Sequence, residues 1–167
     1  MKFRRLDIPY TICFCIRGNS VLMLRRKHPP NEGLWNGLGG KIEAGETPAE
    51  CVRREVMEEA NADVSEGFRY TGIVTWNLGA DSTSESRGMH VFIAEAERDA
   101  PEGETPEGIL AWKPLSWVCD PENESVVGNI PRFLPAMLDS ESPMGSRCEY
   151  EGGRLVGVAM NPPSSRI

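Results

Sequence analysis

The stretch Gly40-Lys41-Ile42-Glu43-Ala44-Gly45-Glu46-Thr47-Pro48-Ala49-Glu50-Cys51-Val52-Arg53-Arg54-Glu55-Val56-Met57-Glu58-Glu59-Ala60-Asn61-Ala62 decides how the chain is organised. Its middle carries the clearest helix signal in the sequence. Thr47 stands at an N-cap, Pro48 at the first helical position, and Glu50 completes a T-x-x-E capping box. Ala49, Val52, Val56 and Ala60 then make one apolar stripe at helical spacing. Asn61 tolerates the left-handed region second only to glycine, so the pattern predicts a helix over 48–60. Glu55, Glu58 and Glu59 fall at i, i+3 and i+4 and share one side of that helix. Like charges at those spacings disfavour a helix by about 0.2–0.5 kcal/mol per pair. Their place near the negative end of the helix dipole adds to the repulsion. Two readings stay open: a solvated acidic face partly neutralised by Arg53 and Arg54, or a hard-oxygen site for Mg²⁺ or Mn²⁺.

Outward from the helix, residues 10–25 read as a β-hairpin, two apolar β-former runs around Arg17-Gly18-Asn19. Residues 25–33, with Pro29, Pro30 and Gly33, read as a loop, and 34–40 as a short strand or extended turn. Strands are expected at 68–76, 88–96 and 109–118, with a Ser/Gly-rich loop at 79–88. A second helix opens at Asn129-Ile130-Pro131 and runs through Leu138, with Pro135 inside it as a source of a kink. A polar link at 139–146 precedes a terminal hairpin around Gly152-Gly153, and residues 161–167 are expected to fray. No internal repeat is present. The pattern is that of one α/β domain over 1–167, with a mixed sheet and few helices. It lacks the regular alternation of a doubly wound parallel fold.

Composition bounds the function. At 167 residues the chain is about one domain long. Its 40% hydrophobic and 26% charged residues are near globular averages, which excludes wholesale disorder. No apolar run approaches the ~18 residues that cross a bilayer, and the N-terminus has no signal-like apolar region. Five cysteines without a CxxC pair read as reduced thiols, so a cytoplasmic location is expected. The net charge of −7 is unevenly spread. Residues 1–39 hold seven Lys/Arg against two acids, and 63–167 hold eight against seventeen. That balance argues against coating duplex nucleic acid and leaves room for a small anionic ligand where local cations or metal ions hold it. A homodimer is one open option for assembly.

Over its full length, the opening stretch reproduces the Nudix box, Gly-x5-Glu-x7-Arg-Glu-U-x-Glu-Glu-x-Gly-U with U a bulky apolar residue. Gly40, Glu46 and Arg54-Glu55-Val56-Met57-Glu58-Glu59 hold the fixed positions. Asn61 replaces the family glycine, and Ala62 is small for the last apolar position. The chain thus resembles the Nudix family over about residues 8–138. The resemblance implies a mixed sheet between helices, with a loop–helix–loop motif at 40–62; the hairpin and tail at 139–167 lie beyond it. It also implies Mg²⁺-dependent hydrolysis of a nucleoside diphosphate derivative, Mn²⁺ substituting. By position, Glu55, Glu58 and Glu59 would be metal ligands, with the Gly40 carbonyl as another. Glu46 would brace Arg54.

The segment Leu34-Trp35-Asn36-Gly37-Leu38-Gly39-Gly40-Lys41 resembles the MutT-type 8-oxo-dGTP diphosphatases. That resemblance makes Asn36 the first base contact, its alternative being simple turn chemistry before Gly37. It makes Arg26 a phosphate clamp, its alternative being a solvated loop, and puts Lys41 with the substrate-binding residues. Glu107 would join the metal site or act as base, and otherwise is surface charge. Asn129 lies nearest the family's further base contacts, where the usual acidic pair is absent. Trp112 and Trp117 are expected to be packing residues. The implied reaction is hydrolysis of a purine nucleoside triphosphate, 8-oxo-dGTP first, to monophosphate and pyrophosphate. The alternatives are hydrolysis of ADP-ribose or a nucleotide sugar, or a non-catalytic nucleotide-sensing module.

Overall fold

The two apolar runs around Arg17-Gly18-Asn19 fold back on each other. Strand β1 (Leu6–Arg17) pairs antiparallel with β2 (Ser20–Arg26) in the register Cys15↔Leu22. The computed structural model describes residues 6–64, 66–77, 86–95 and 101–161. The remaining strands are β3 (Trp35–Asn36), β4 (Phe68–Asn77), β5 (Ser86–Glu95), β6 (Gly103–Thr105), β7 (Gly108–Pro114), β8 (Met144–Glu151) and β9 (Arg154–Asn161). The helices are α1 (Pro48–Ala60), α2 (Leu115–Val118) and α3 (Ile130–Asp139). One sheet runs β6-β7-β2-β1-β5-β4-β8-β9, with β3 added to β2. Pairing is parallel for β1–β5 and β4–β8 and antiparallel elsewhere, so the sheet is mixed.

Burial on both faces explains why the middles of β1 and β2, residues 12–16 and 21–24, are apolar at every position rather than at alternate ones. Ile12, Phe14, Val21 and Met23 point to one face, where Ile130, Phe133, Leu134 and Met137 of α3 cover them. Cys13, Cys15, Leu22 and Leu24 point to the other, against Val52, Val56 and Ala60 of α1. The helices therefore flank the sheet, and the apolar stripe of α1 is the face it buries. All five cysteines are free thiols. No helix among the described residues is long and apolar enough to cross a membrane.

The structure departs from the sequence expectations at several edges. The strand expected over 109–118 stops at Pro114, which has no N–H to continue a ladder. Residues 115–118 instead make one helical turn, started by the Leu115 N–H donating to the Asn19 carbonyl at 2.8 Å. Strand β1 starts earlier than expected, and a register shift between Asp7 and Tyr10 accommodates Pro9. The link at 139–146 is shorter, because β8 already begins at Met144. Three-residue β6 carries no pattern of its own and exists only by pairing with β7. Ser86–Gly88 belong to β5, while residues 79–85 of the expected loop lie outside the described residues. Asn161 closes β9, and the expected frayed end at 162–167 also lies outside them.

Candidate active site

The loop–helix unit is held by its own short-range chemistry. Thr47 Oγ1 accepts the Glu50 N–H at 3.1 Å, and Asn61 ends α1 with φ 49° and its N–H on the Met57 carbonyl at 2.9 Å. Arg54 grips Glu46 with two bonds, Nε to Oε2 at 2.7 Å and Nη2 to Oε1 at 2.9 Å. The same guanidinium reaches the Lys41 carbonyl at 3.2 Å, tying loop to helix. Arg54, with help from the Glu43 N–H, holds the Glu46 carboxyl down at about 2. Lys41 itself is exposed and takes part through this carbonyl.

The three box glutamates occupy different environments. Glu59 is 8% exposed and accepts the Gly39 N–H at 2.8 Å. Burial pushes its carboxyl up to about 8, against the pull of that N–H, and the fields of Glu55 and Glu107 add to the rise. Glu55 is likewise raised, first by burial and then by Glu58 and Glu107, while Arg54 opposes at 2.8 Å. Glu58 is the exposed member, 3.4 Å from Arg54. Glu107 thus acts on both raised acids from the β6–β7 turn, and its carbonyl accepts the Lys27 N–H at 3.1 Å. Arg26 acts on Glu59 with the opposite sign, while its Nε is held by the Pro30 carbonyl at 2.7 Å. The structure therefore draws Glu55, Glu59, Glu107 and Arg26 into one electrostatic neighbourhood.

Close backbone approach underlies this arrangement. A Cβ on Gly40 would stand 2.6 Å from the Glu55 carboxylate carbon, and one on Gly39 would collide with the Thr11 carbonyl. The Gly40 carbonyl, implied as a metal ligand, accepts from Thr11 N at 2.8 Å and Thr11 Oγ1 at 3.2 Å. With a longer contact from Cys51 Sγ at 3.8 Å, these bonds fasten the loop to β1 and α1. Among the described residues no three His, Cys, Asp or Glu side chains converge as a ready metal cage. Glu55 and Glu58 are turned to Arg54, and Glu59 to Gly39. The donor set nevertheless fits a hard cation. It is carboxylate oxygen throughout, and burial and mutual repulsion raise two of the acids, a strain that a divalent charge relieves.

A second feature is a cavity of about 540 Å³ on the α3 side of the sheet. Asn36 and Asn129 line it together with Trp76, Asn77, Met89 and Tyr150. Asn36 Oδ1 accepts the Gly37 N–H at 2.9 Å, so the turn role and the cavity position coexist in one side chain. Asn129 precedes α3 without capping it, is 6% exposed, and its Oδ1 has no hydrogen-bond partner. Arg26 and Lys41 are not among the cavity residues. Trp112 and Trp117 are not either; Trp117 packs edge-on to Trp35, and Arg17 lies 4.3 Å over Trp112. Sequence reasoning missed Trp76, Asn77 and Tyr150. Strand alternation put Trp76 on a face, but nothing local says that the face borders a cavity.

A model of the NUDIX domain matches residues 8–134. The chain belongs to the NUDIX family. Among its NUDIX relatives is the oxidized purine nucleoside triphosphate hydrolase of Danio rerio, 32% identical over 85 residues, covering 51% of this chain and 53% of the relative. The enzyme of the same name from Mus musculus is 29% identical over 92 residues, covering 55% and 57%. The chain thus spans about half the length of these relatives. In structure it is similar to the MutT protein of Bacillus halodurans, with a TM-score of 0.71 and 26% identity over 93% of this chain and 98% of that one. Part of a Francisella tularensis bifunctional NMN adenylyltransferase/ADP ribose pyrophosphatase shares the fold at 19% identity and a TM-score of 0.62, covering 83% of this chain and 43% of that one.

Proposed function

We propose that this NUDIX protein hydrolyses a purine nucleoside triphosphate, oxidised guanine nucleotides first among them, to the monophosphate and pyrophosphate. One observation carries the base assignment: Asn129, whose buried Oδ1 has no hydrogen-bond partner, lines the same cavity as Asn36. A buried acceptor left unpaired costs about 1–3 kcal/mol, so the position favours a ligand that brings a donor. Asn36 has its Oδ1 engaged by Gly37, which leaves its amide N–H groups as donors. An acceptor beside a donor is what the edge of a purine base complements. The names of the Danio rerio and Mus musculus relatives support the same substrate class.

In this reading Glu55, Glu58 and Glu59 would hold Mg²⁺ or Mn²⁺, which supplies charge neutralisation at the phosphates and an acidified water. The chain's own groups do the rest. Arg26 holds phosphate oxygens, and the Glu46–Arg54 pair keeps the loop in place against the helix. Glu107 is the base proposed for the water proton.

The test is a panel of 8-oxo-dGTP, dGTP, dATP, dCTP and ADP-ribose with Mg²⁺, read by pyrophosphate or phosphate release. The expected result is pyrophosphate release with the highest kcat/KM on a purine triphosphate. Turnover confined to ADP-ribose, or no turnover of any of the five, overturns the reading.

A further inference from the structure

We propose that the C-terminal hairpin β8–β9 forms the specificity-determining wall of the cavity, with Tyr150 as the residue that selects the planar group admitted there. The proposal rests on the reading of that cavity as a base site. It adds a part of the chain that the NUDIX match, ending at residue 134, does not include.

The hairpin reaches the cavity through Tyr150, Gly152 and Gly153. Its approach is fixed by backbone pairing: β8 runs parallel to β4 from Gly72↔Met144 to Trp76↔Cys148. Just past that ladder, Asn77 takes over as a side-chain rung. Its Nδ2 donates to the Tyr150 carbonyl at 3.0 Å, and its Oδ1 accepts the Tyr150 N–H at 2.8 Å. Both backbone groups of Tyr150 are thereby held by a residue that itself lines the cavity.

The β8–β9 pairing also shifts register between Glu149 and Tyr150. The extra residue is Val156 on β9, so β8 keeps its alternation through Tyr150. Gly152 and Gly153, at φ 57° and 79°, then turn the chain within two residues. A Cβ on either would meet nothing within 4 Å, so the turn needs their backbone freedom and not their small size. Trp76 is paired with Cys148, two residues before Tyr150, which puts the two aromatic residues on the same face of the sheet. Among the described residues that line the cavity none is charged. Selection there therefore depends on shape, stacking and amide hydrogen bonds.

The experiment titrates metal-free wild type, Tyr150→Ala and Tyr150→Phe with GMP, 8-oxo-dGMP, AMP and CMP by calorimetry, with thermal melts as a fold check. Monophosphates remove hydrolysis from the readout. The expected result is purine binding about tenfold weaker in Tyr150→Ala, the scale of one lost base–aromatic stack. Tyr150→Phe keeps wild-type affinity, and the purine-to-CMP preference narrows only in Tyr150→Ala. If Tyr150→Ala does not fold, Tyr150→Leu takes its place with the same expectation. Unchanged affinity, or equal weakening for all four ligands in a folded variant, overturns the wall. No binding of any monophosphate to wild type overturns it together with the base-site reading. Purine binding without triphosphate turnover would sink the proposed reaction alone and leave the wall standing.

Discussion

The acid cluster and the amide cavity are built in opposite ways. The cluster is charged and assembled mostly from one loop and one helix, with Arg54 touching Glu46, Glu55 and Glu58 within a dozen residues of chain. The described residues that line the cavity are uncharged and come from Pro30 to Gly153 across much of the sheet. Electrostatic work is thus concentrated where the chain is local, and shape recognition where it is not. A substitution in the first region should change the rate of reaction, and one in the second the choice of ligand.

The largest effect that could break this contrast is metal removal. Chelation with EDTA is expected to abolish turnover and millimolar Mg²⁺ or Mn²⁺ to restore it; full activity in a metal-free sample would leave the acid cluster without its assigned work. Next is Glu59→Gln, which keeps the shape beside Gly39 and removes the charge. A fall in kcat of about 100-fold or more is expected, comparable to losing a preorganised electrostatic group. Glu58→Gln is expected to act in the same direction. Near-normal kcat in both would make the face merely solvated.

On the cavity side the effects are smaller and appear in KM. Asn36→Ala should raise KM for the preferred purine by roughly three- to tenfold, with little change in kcat. The same loss on dCTP would reduce Asn36 to its turn role. Asn129→Leu should weaken purine binding similarly while raising the melting temperature of the free protein, since it removes a buried unpaired acceptor. A drop in melting temperature would show that Oδ1 is satisfied after all.

The smallest expected effect is on stability against pH. Glu59 is held at about 8, against an ordinary 4.5. Between those values the folded chain keeps a proton that the unfolded chain has released, so the metal-free fold loses stability as pH rises from about 4.5 to about 8. Glu59→Gln has no such proton. Its melting temperature relative to wild type should therefore be higher at about pH 9 than at about pH 5, by roughly 3 °C or more. Parallel melting curves at the two pH values would contradict the burial argument.

The same contrast explains what was legible in the sequence. Thr47, Pro48, Glu50 and Asn61 each carry a local rule, and all four sit where those rules put them. The hairpin of β1 and β2 was readable because burial on both faces leaves an unbroken apolar run. Glu46 and Arg54 were readable through the box. Trp76, Asn77 and Tyr150 were not, because the cavity position of each depends on pairing between segments some 70 residues apart. Residues 115–118 have a composition that suits a strand, but Pro114 ends β7 before them and a helical turn follows.

Between the two regions lies the segment Asn36-Gly37-Leu38-Gly39-Gly40. One end lines the cavity and the other touches Glu59 and Glu55. It is riveted to β1 along the way, through reciprocal bonds between Leu38 and Cys13 and through the Gly40 carbonyl on Thr11. Four virtual bonds of extended chain reach at most about 14 Å. The segment therefore works as a ruler, cut by backbone length, between whatever is held by the amides and whatever meets the acids. A single residue inserted between Leu38 and Gly39 would leave every side chain of both regions in the sequence and still put them out of step.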